Sequence, residues 1–174
     1  MLLKNGKEII IRKAKKEDAQ EIINYLNIVG GESNNLLFGA NGFSITLEQE
    51  VKIIESANNS KTSAVFVGTV DNRIICVGSV FSKSRERVAH QGDVGLSVSK
   101  EFWNIGVGTY LMNVIIEFAK SSEQLEILHL GVKSDNFAAI ALYKKFGFQE
   151  IGIYPKFYKI DDVYYDDILM NLYL

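Results

Sequence analysis

Between residues 94 and 119 the apolar pattern of this chain changes from a strand-like run to a helical stripe, and a glycine pair marks the change. "VGLSVS", residues 94–99, reads as a strand. Val107, Tyr110, Leu111, Val114, Ile115, Phe118 and Ala119 then recur at helical spacing. Gly106 and Gly108 stand where the helix begins. The loop Trp103–Thr109 places several backbone N–H groups at a helix head. With no Cβ at 106 and 108, an anion can approach them closely. A tight turn is the plainer alternative.

The flanking sequence alternates the same two patterns. "EIIIRK", residues 8–13, reads as a strand, and Ala19, Ile22, Ile23, Leu26 and Val29 as a helix stopped by Gly30 and Gly31. Residues 32–45 are polar and rich in Gly and Asn, with Leu36, Leu37, Phe38 and Phe43 interspersed. That composition fits a lid over a pocket or an ordinary helix–helix connection. Thr46 and Gln49 form a capping-box pattern ahead of a second helix ending near Ala57. "SAVFVGTV" and "RIICVGSVF" flank Asp71-Asn72, a two-residue hairpin turn. "LEILHLGV" reads as a strand and "NFAAIALYKKF" as a helix. The remainder reads as two long strands around a turn at 160–163, with Pro155 marking a bulge or edge. The order β-α-α-β-β-β-α-β-α-β-β, with strands both in hairpins and around helices, predicts one α/β domain with a mixed sheet.

Composition removes several classes. A net charge of −2 and a pI of about 5.7 argue against nucleic acid as a partner. The single cysteine, Cys76, leaves no disulfide framework or Cys-rich zinc site, and it reads as a small buried apolar residue. No metal is expected, since His90 and His129 lack ligand spacing. No run approaches ~18 apolar residues and the start does not read as a secretory signal, so neither a membrane span nor a membrane partner is expected, and the cytoplasm is the expected location.

A nucleotide P-loop needs Gly-Lys-Ser/Thr, whereas Thr109 and Tyr110 follow Gly108. A dinucleotide fold wants a third glycine where Leu111 stands, although Asp135 falls where a ribose-binding acid would sit. A second block, Asn136-x-x-Ala139-x-x-x-Tyr143-x-x-x-Gly147-Phe148, follows the strand after the helix. Together with Trp103-x-x-Gly106-x-Gly108 and the element order, it resembles the GNAT superfamily of N-acetyltransferases over nearly the whole chain. Trp103 departs from the Arg or Gln usual at its position, which removes a side-chain contact to phosphate and leaves the backbone donors.

The resemblance implies residues 8–174 as a single N-acetyltransferase-like domain after a short extension, 1–7. It implies a mostly antiparallel mixed sheet with a splayed central strand pair flanked by helices. Acetyl-CoA is the implied co-substrate. Its pantetheine arm would pair with the backbone of Leu96, Ser97 and Val98, and an amide near Val98 would polarise the thioester carbonyl. Its pyrophosphate would lie on Trp103, Asn104, Ile105, Gly106, Val107, Gly108 and Thr109, with Asn136 also in contact. Tyr143 is implied as the acid for the departing thiolate, or as a hydrogen-bond donor to the sulfur. From spacing alone it reads as a core aromatic. Asp93, expected to open the strand 94–98, is a candidate base acting through water, against a solvated turn residue. Glu32 is its rival.

His129 reads as a structural residue, and His90 as lying near the mouth of the site. Asp161, Asp162, Asp166 and Asp167 read as a solvated turn and strand edge, or as attraction for a cationic amine. The resemblance implies a small-molecule or peptide amine as acceptor. The alternatives are an inactive acyl-CoA-binding sensor and, less well matched, the dinucleotide binder. Monomer and homodimer are both open.

Overall fold

The computed structural model describes all residues, 1–174. Seven strands form one sheet in the order β1-β2-β3-β4-β5-β7-β6. They are β1 (Ile10–Lys13), β2 (Ala64–Val70), β3 (Arg73–Ser82), β4 (Gln91–Val98), β5 (Ile127–Lys133), β6 (Gln149–Ile160) and β7 (Val163–Tyr173). Every pairing is antiparallel except β4 with β5. The helices are α1 (Ala19–Val29), α2 (Leu47–Asn58), α3 (Val107–Lys120) and α4 (Phe137–Lys145).

Local chemistry sets the boundaries. Thr46 accepts from the Gln49 N–H while the Gln49 side chain accepts from the Thr46 N–H, so the capping box starts α2 as expected. Asp71 and Asn72 take positive φ of 51° and 63°, the conformation a tight two-residue hairpin demands. Pro155 lies on the outermost strand, inside a register shift between Tyr154 and Tyr158. Residues 1–7 fold back on the domain: the Met1 amino group donates to the Ile9 carbonyl, and Leu3 is buried in the main core. Cys76 is buried, which pushes its thiol up to about 12.

Two cores occupy the two faces of the sheet. α1 and α2 cover one face over Val65, Val67, Ile74 and Val77. α3 and α4 cover the other, over Phe66, Ile75, Leu128 and Leu130. α3 seats directly on β3, where a Cβ on Gly78 would come within 2.9 Å of Ile115 and 3.0 Å of Leu111. Past α1 and α2, no helix covers the first face over β5 and β7, and the site opens there.

The corner from β1 into α1 depends on one ion pair. The Arg12 guanidinium grips both Asp18 carboxylate oxygens, at 2.6 and 2.9 Å, and the Lys15 N–H donates to the same carboxylate at 2.7 Å. The Arg12 bond is the largest influence holding the Asp18 carboxyl below its ordinary value. A lowered folded pKa stabilises the fold above the unfolded value and is lost as pH falls through the folded one. Asp18→Asn is expected to cost about 1–3 kcal/mol at neutral pH. The gap between the two melting temperatures should close on acidification below about pH 4. A gap that persists in acid would assign the loss to packing.

Candidate active site

The β4–β5 seam is only three rungs long: Gln91 with Ile127, Gly92 with Leu128 and Asp93 with His129. Beyond it β4 stays in register with β3 as far as Val98, and β5 with β7 as far as Lys133. The two strands therefore diverge, and a cleft of about 1180 Å³ opens between them. The splayed pair expected from the resemblance is present.

Backbone groups line this gap in a fixed alternation. Ser99 N–H donates to Ile75 O and Lys83 N–H to Gln91 O, so the odd-numbered residues of β4 are bonded to β3. The N–H and C=O groups of Val94, Leu96 and Val98 then point into the gap. Ser97 is corrected by this: its backbone faces β3, and its hydroxyl accepts from Tyr25 of α1 at 3.2 Å. Val94, not singled out from the sequence, takes its place. The Val98 carbonyl is not free either, because the Trp103 indole N–H donates to it at 2.7 Å. Trp103 thus has a side-chain role after all, which is to close the open end of β4.

The glycine loop runs from this point into α3. Gly106 has φ of 103°, and a Cβ there would meet nothing within 4 Å, so backbone conformation alone calls for glycine. At Gly108 a Cβ would lie 3.3 Å from Leu142 of α4, so here the reason is close approach between helices. Asn104 also takes positive φ, at 62°. The turn leaves the first backbone N–H groups of α3 facing the cleft. Of the residues expected to hold acetyl-CoA or to act as acid or base, all line the cleft except Ile105, Val107 and the rival base Glu32; Val107 is buried in the core. Asn136 caps α4 through the Ala139 N–H at 3.3 Å, so its carbonyl oxygen is engaged.

Tyr143 projects from α4 and is 8% exposed, with Phe148 beside it at 5.8 Å between ring centroids. Burial raises its hydroxyl above the ordinary tyrosine value. It is both a core aromatic and a lining residue of the cleft. Asp93 is not a turn residue at the strand start: it is the third residue of β4 and sits on the last rung of the seam, with Lys83 3.6 Å away. Glu32 accepts from the Lys100 N–H at 2.7 Å and does not line the cleft. His90 lies at the closed end of the V, where its carbonyl accepts from Glu126 and Ile127, and not at the mouth. Leu36, Leu37 and Phe38 do line the cleft, and Asn27 ties the far end of their loop to α1 through Phe43.

Three lining residues were missed or undervalued from the sequence. His129 bonds Asn171 through Nδ1 at 2.8 Å, so it is satisfied, yet it also faces the cleft. Tyr158 and Asp167 line the same wall, and the Tyr158 hydroxyl donates to Asp167 at 3.3 Å. The four aspartates separate: Asp161 and Asp162 form the hairpin turn, Asp166 accepts from the Lys156 N–H, and Asp167 alone turns inward.

A family model described as acetyltransferase (GNAT) family matches residues 38–148. An N-alpha-acetyltransferase of Sulfurisphaera tokodaii is 27% identical over 163 residues, covering 89% of each chain. The acetyltransferase of GNAT family from Streptococcus pneumoniae is 29% identical, with a TM-score of 0.93 over 96% of this chain and 100% of that one. The Salmonella typhimurium protein yncA, solved with its cofactor acetyl-CoA, shares the fold at a TM-score of 0.83 with 18% identity, over 95% of this chain and 94% of that one. Other curated matches are shorter, covering 64% of one relative's length and 39% of two others.

The two glycines should respond differently to alanine. Gly106→Ala forces an L-residue into a left-handed conformation and is expected to cost about 1–2 kcal/mol in denaturant unfolding. Gly108→Ala gains helix propensity against mild crowding at Leu142 and should stay within about 1 kcal/mol of the parent. Equal losses would mean that backbone conformation is not what requires glycine at 106.

Proposed function

Because this chain belongs to the acetyltransferase (GNAT) family, we propose that it transfers the acetyl group of acetyl-CoA to a primary amine, of a small molecule or of a peptide, by direct attack of the amine on the thioester. The observation that carries this reading is the continuity of the gap between β4 and β5 with the glycine loop of α3. The gap offers an unpaired strand edge to the pantetheine arm, and the loop offers backbone N–H groups to the pyrophosphate.

Bound acetyl-CoA supplies a thioester carbonyl open to attack and a thiolate leaving group. Val94 and Leu96 provide N–H and C=O groups for an added strand, without loss of any ladder bond to β3. Of these, an N–H left over beside the thioester polarises its carbonyl as charge builds on the oxygen. Gly106, Gly108 and Thr109 present their N–H groups at the positive end of α3. Trp103 contributes by removing the Val98 carbonyl, an acceptor that would repel phosphate oxygens.

Tyr143 donates its proton, or a hydrogen bond, to the sulfur as it leaves. Its burial keeps the hydroxyl protonated. Asp93, exposed at the apex of the V, passes the amine's proton to solvent through water. The N-alpha-acetyltransferase names of relatives support an amine acceptor and leave its size open.

Two variants test the assignment, each scored by amine-dependent thiol release from acetyl-CoA and by melting temperature. Gly108→Asp sets a carboxylate against the pyrophosphate and should weaken acetyl-CoA binding while the fold survives; undiminished binding would remove the loop from the site. Tyr143→Phe keeps the ring and should leave acetyl-CoA affinity little changed. Loss of a transition-state contact lowers kcat and kcat/KM together, here by roughly 10²-fold. An unchanged rate with a lowered melting temperature would make Tyr143 a core residue only.

A further inference from the structure

Asp167 is a buried carboxylate with no lysine or arginine of its own. It is 4% exposed, and no lysine or arginine lies within ion-pairing distance of it. Its one hydrogen-bonding partner is the Tyr158 hydroxyl, which donates to Oδ1 at 3.3 Å. The cation that sequence position would offer is Lys133, directly opposite on β5 and itself 3% exposed. Lys133 turns away: its ammonium pairs with Asp135 and lies 3.4 Å from the centroid of the Tyr165 ring.

The neighbouring strand makes room for the carboxylate. Asp167 lies over Gly131 of β5, where a Cβ would come within 2.2 Å of Oδ2. Oδ2 has no hydrogen-bonding partner, and no fully enclosed side-chain oxygen or nitrogen in the chain lacks one. Oδ2 is therefore reached from the cleft, which Asp167, Gly131, His129 and Tyr158 line together. Burial raises the Asp167 carboxyl above its ordinary value, with the Tyr158 hydrogen bond and His129 acting in the opposite direction. Holding a carboxylate in such surroundings with no lysine or arginine paired to it is costly, and the cost falls when a ligand brings a cation.

The surroundings also select the ligand's chemistry. Phe157 packs tilted against Tyr154 and edge-to-face against Tyr158, with ring centroids 5.1 and 5.0 Å apart, and Phe157 and Tyr158 line the cleft beside the carboxylate. Aromatic faces next to a carboxylate suit an ammonium group on an apolar stem. Tyr158, Asp167 and Tyr143, the residue assigned to the leaving sulfur, line the same cleft. We propose that Asp167 Oδ2 is the docking point for the acceptor, which arrives as a primary ammonium and is held by its reacting nitrogen. The identity of the cation as acetyl acceptor rests on the acetyl-transfer reading; the existence of a cation site does not.

Titration calorimetry on the full chain, with phenethylamine and its neutral counterpart 2-phenylethanol, tests this together with thiol release. The parent should prefer the amine by at least about 10-fold, the scale of one desolvated charge-assisted hydrogen bond. Asp167→Asn, which keeps the shape and removes the charge, should abolish the preference and raise the amine KM by a similar factor. The acetyl-CoA KM should not move, and the melting temperature at neutral pH should hold or rise, because an unpaired buried charge has been removed. Tyr158→Phe should weaken amine binding less. Equal binding of amine and alcohol by the parent, or an undiminished preference in Asp167→Asn, overturns the proposal. So does a lowered melting temperature with parallel loss of acetyl-CoA affinity, which would make Asp167 structural. An amine preference that depends on Asp167, without thiol release, would uphold the cation site and defeat the acetyl-transfer reading. Thiol release with an unchanged amine KM in Asp167→Asn would do the reverse.

Discussion

The architecture turns on a seam that closes for three residue pairs and then stops. β4 is committed to β3 along its length, and β5 to β7 along its length. Each strand follows the twist of its own neighbour, so the two can meet only where those commitments coincide. Past Asp93 and His129, every second peptide of β4 has donors and acceptors aimed at nothing in the sheet. Unpaired backbone groups of this kind are tolerated only where water or a ligand reaches them. The gap is thus a polar slot with walls built of apolar side chains.

What surrounds the slot follows from the same division. α3 seats on β3 through the bare Gly78, which fixes where its N-terminus meets the open end of β4. α4 meets that N-terminus through Leu142 and carries Tyr143 toward the gap from the β5 side. Charge enters from two strands, with Asp93 of β4 at the apex and Asp167 of β7 lying over Gly131 of β5. The glycine loop and the two carboxylates line one and the same cleft.

Much of this was legible in the sequence because it is local. The Thr46 capping box, the Asp71-Asn72 turn, the helical stripe after Gly108 and the bulge at Pro155 each depend on residues a few positions apart. The spacing of Gly106 and Gly108 against Asn136, Ala139 and Tyr143 carried the family resemblance, and with it the expectation of a splayed sheet. The misses are non-local. Which peptides of β4 face the gap depends on its register with β3, so Ser97 was preferred to Val94. Asp167 sits in a run of charges indistinguishable from a solvated turn. Its burial depends on a glycine in another strand and on the direction Lys133 takes. His129 likewise gained its place in the cleft from a pairing partner on β4.

The register break around Pro155 has an effect well beyond Tyr158. β6 is the outermost strand, and it exposes Ile151, Ile153, Tyr154 and Phe157. A flat apolar border strand is an invitation to a second molecule to extend the sheet. Here proline lacks the amide hydrogen that such growth requires, and Lys156, at φ of 56°, turns the backbone out of the strand path. The register shift that accompanies the Tyr158–Asp167 hydrogen bond also interrupts the outer border of the sheet, so that border is not one continuous strand that a second chain could extend.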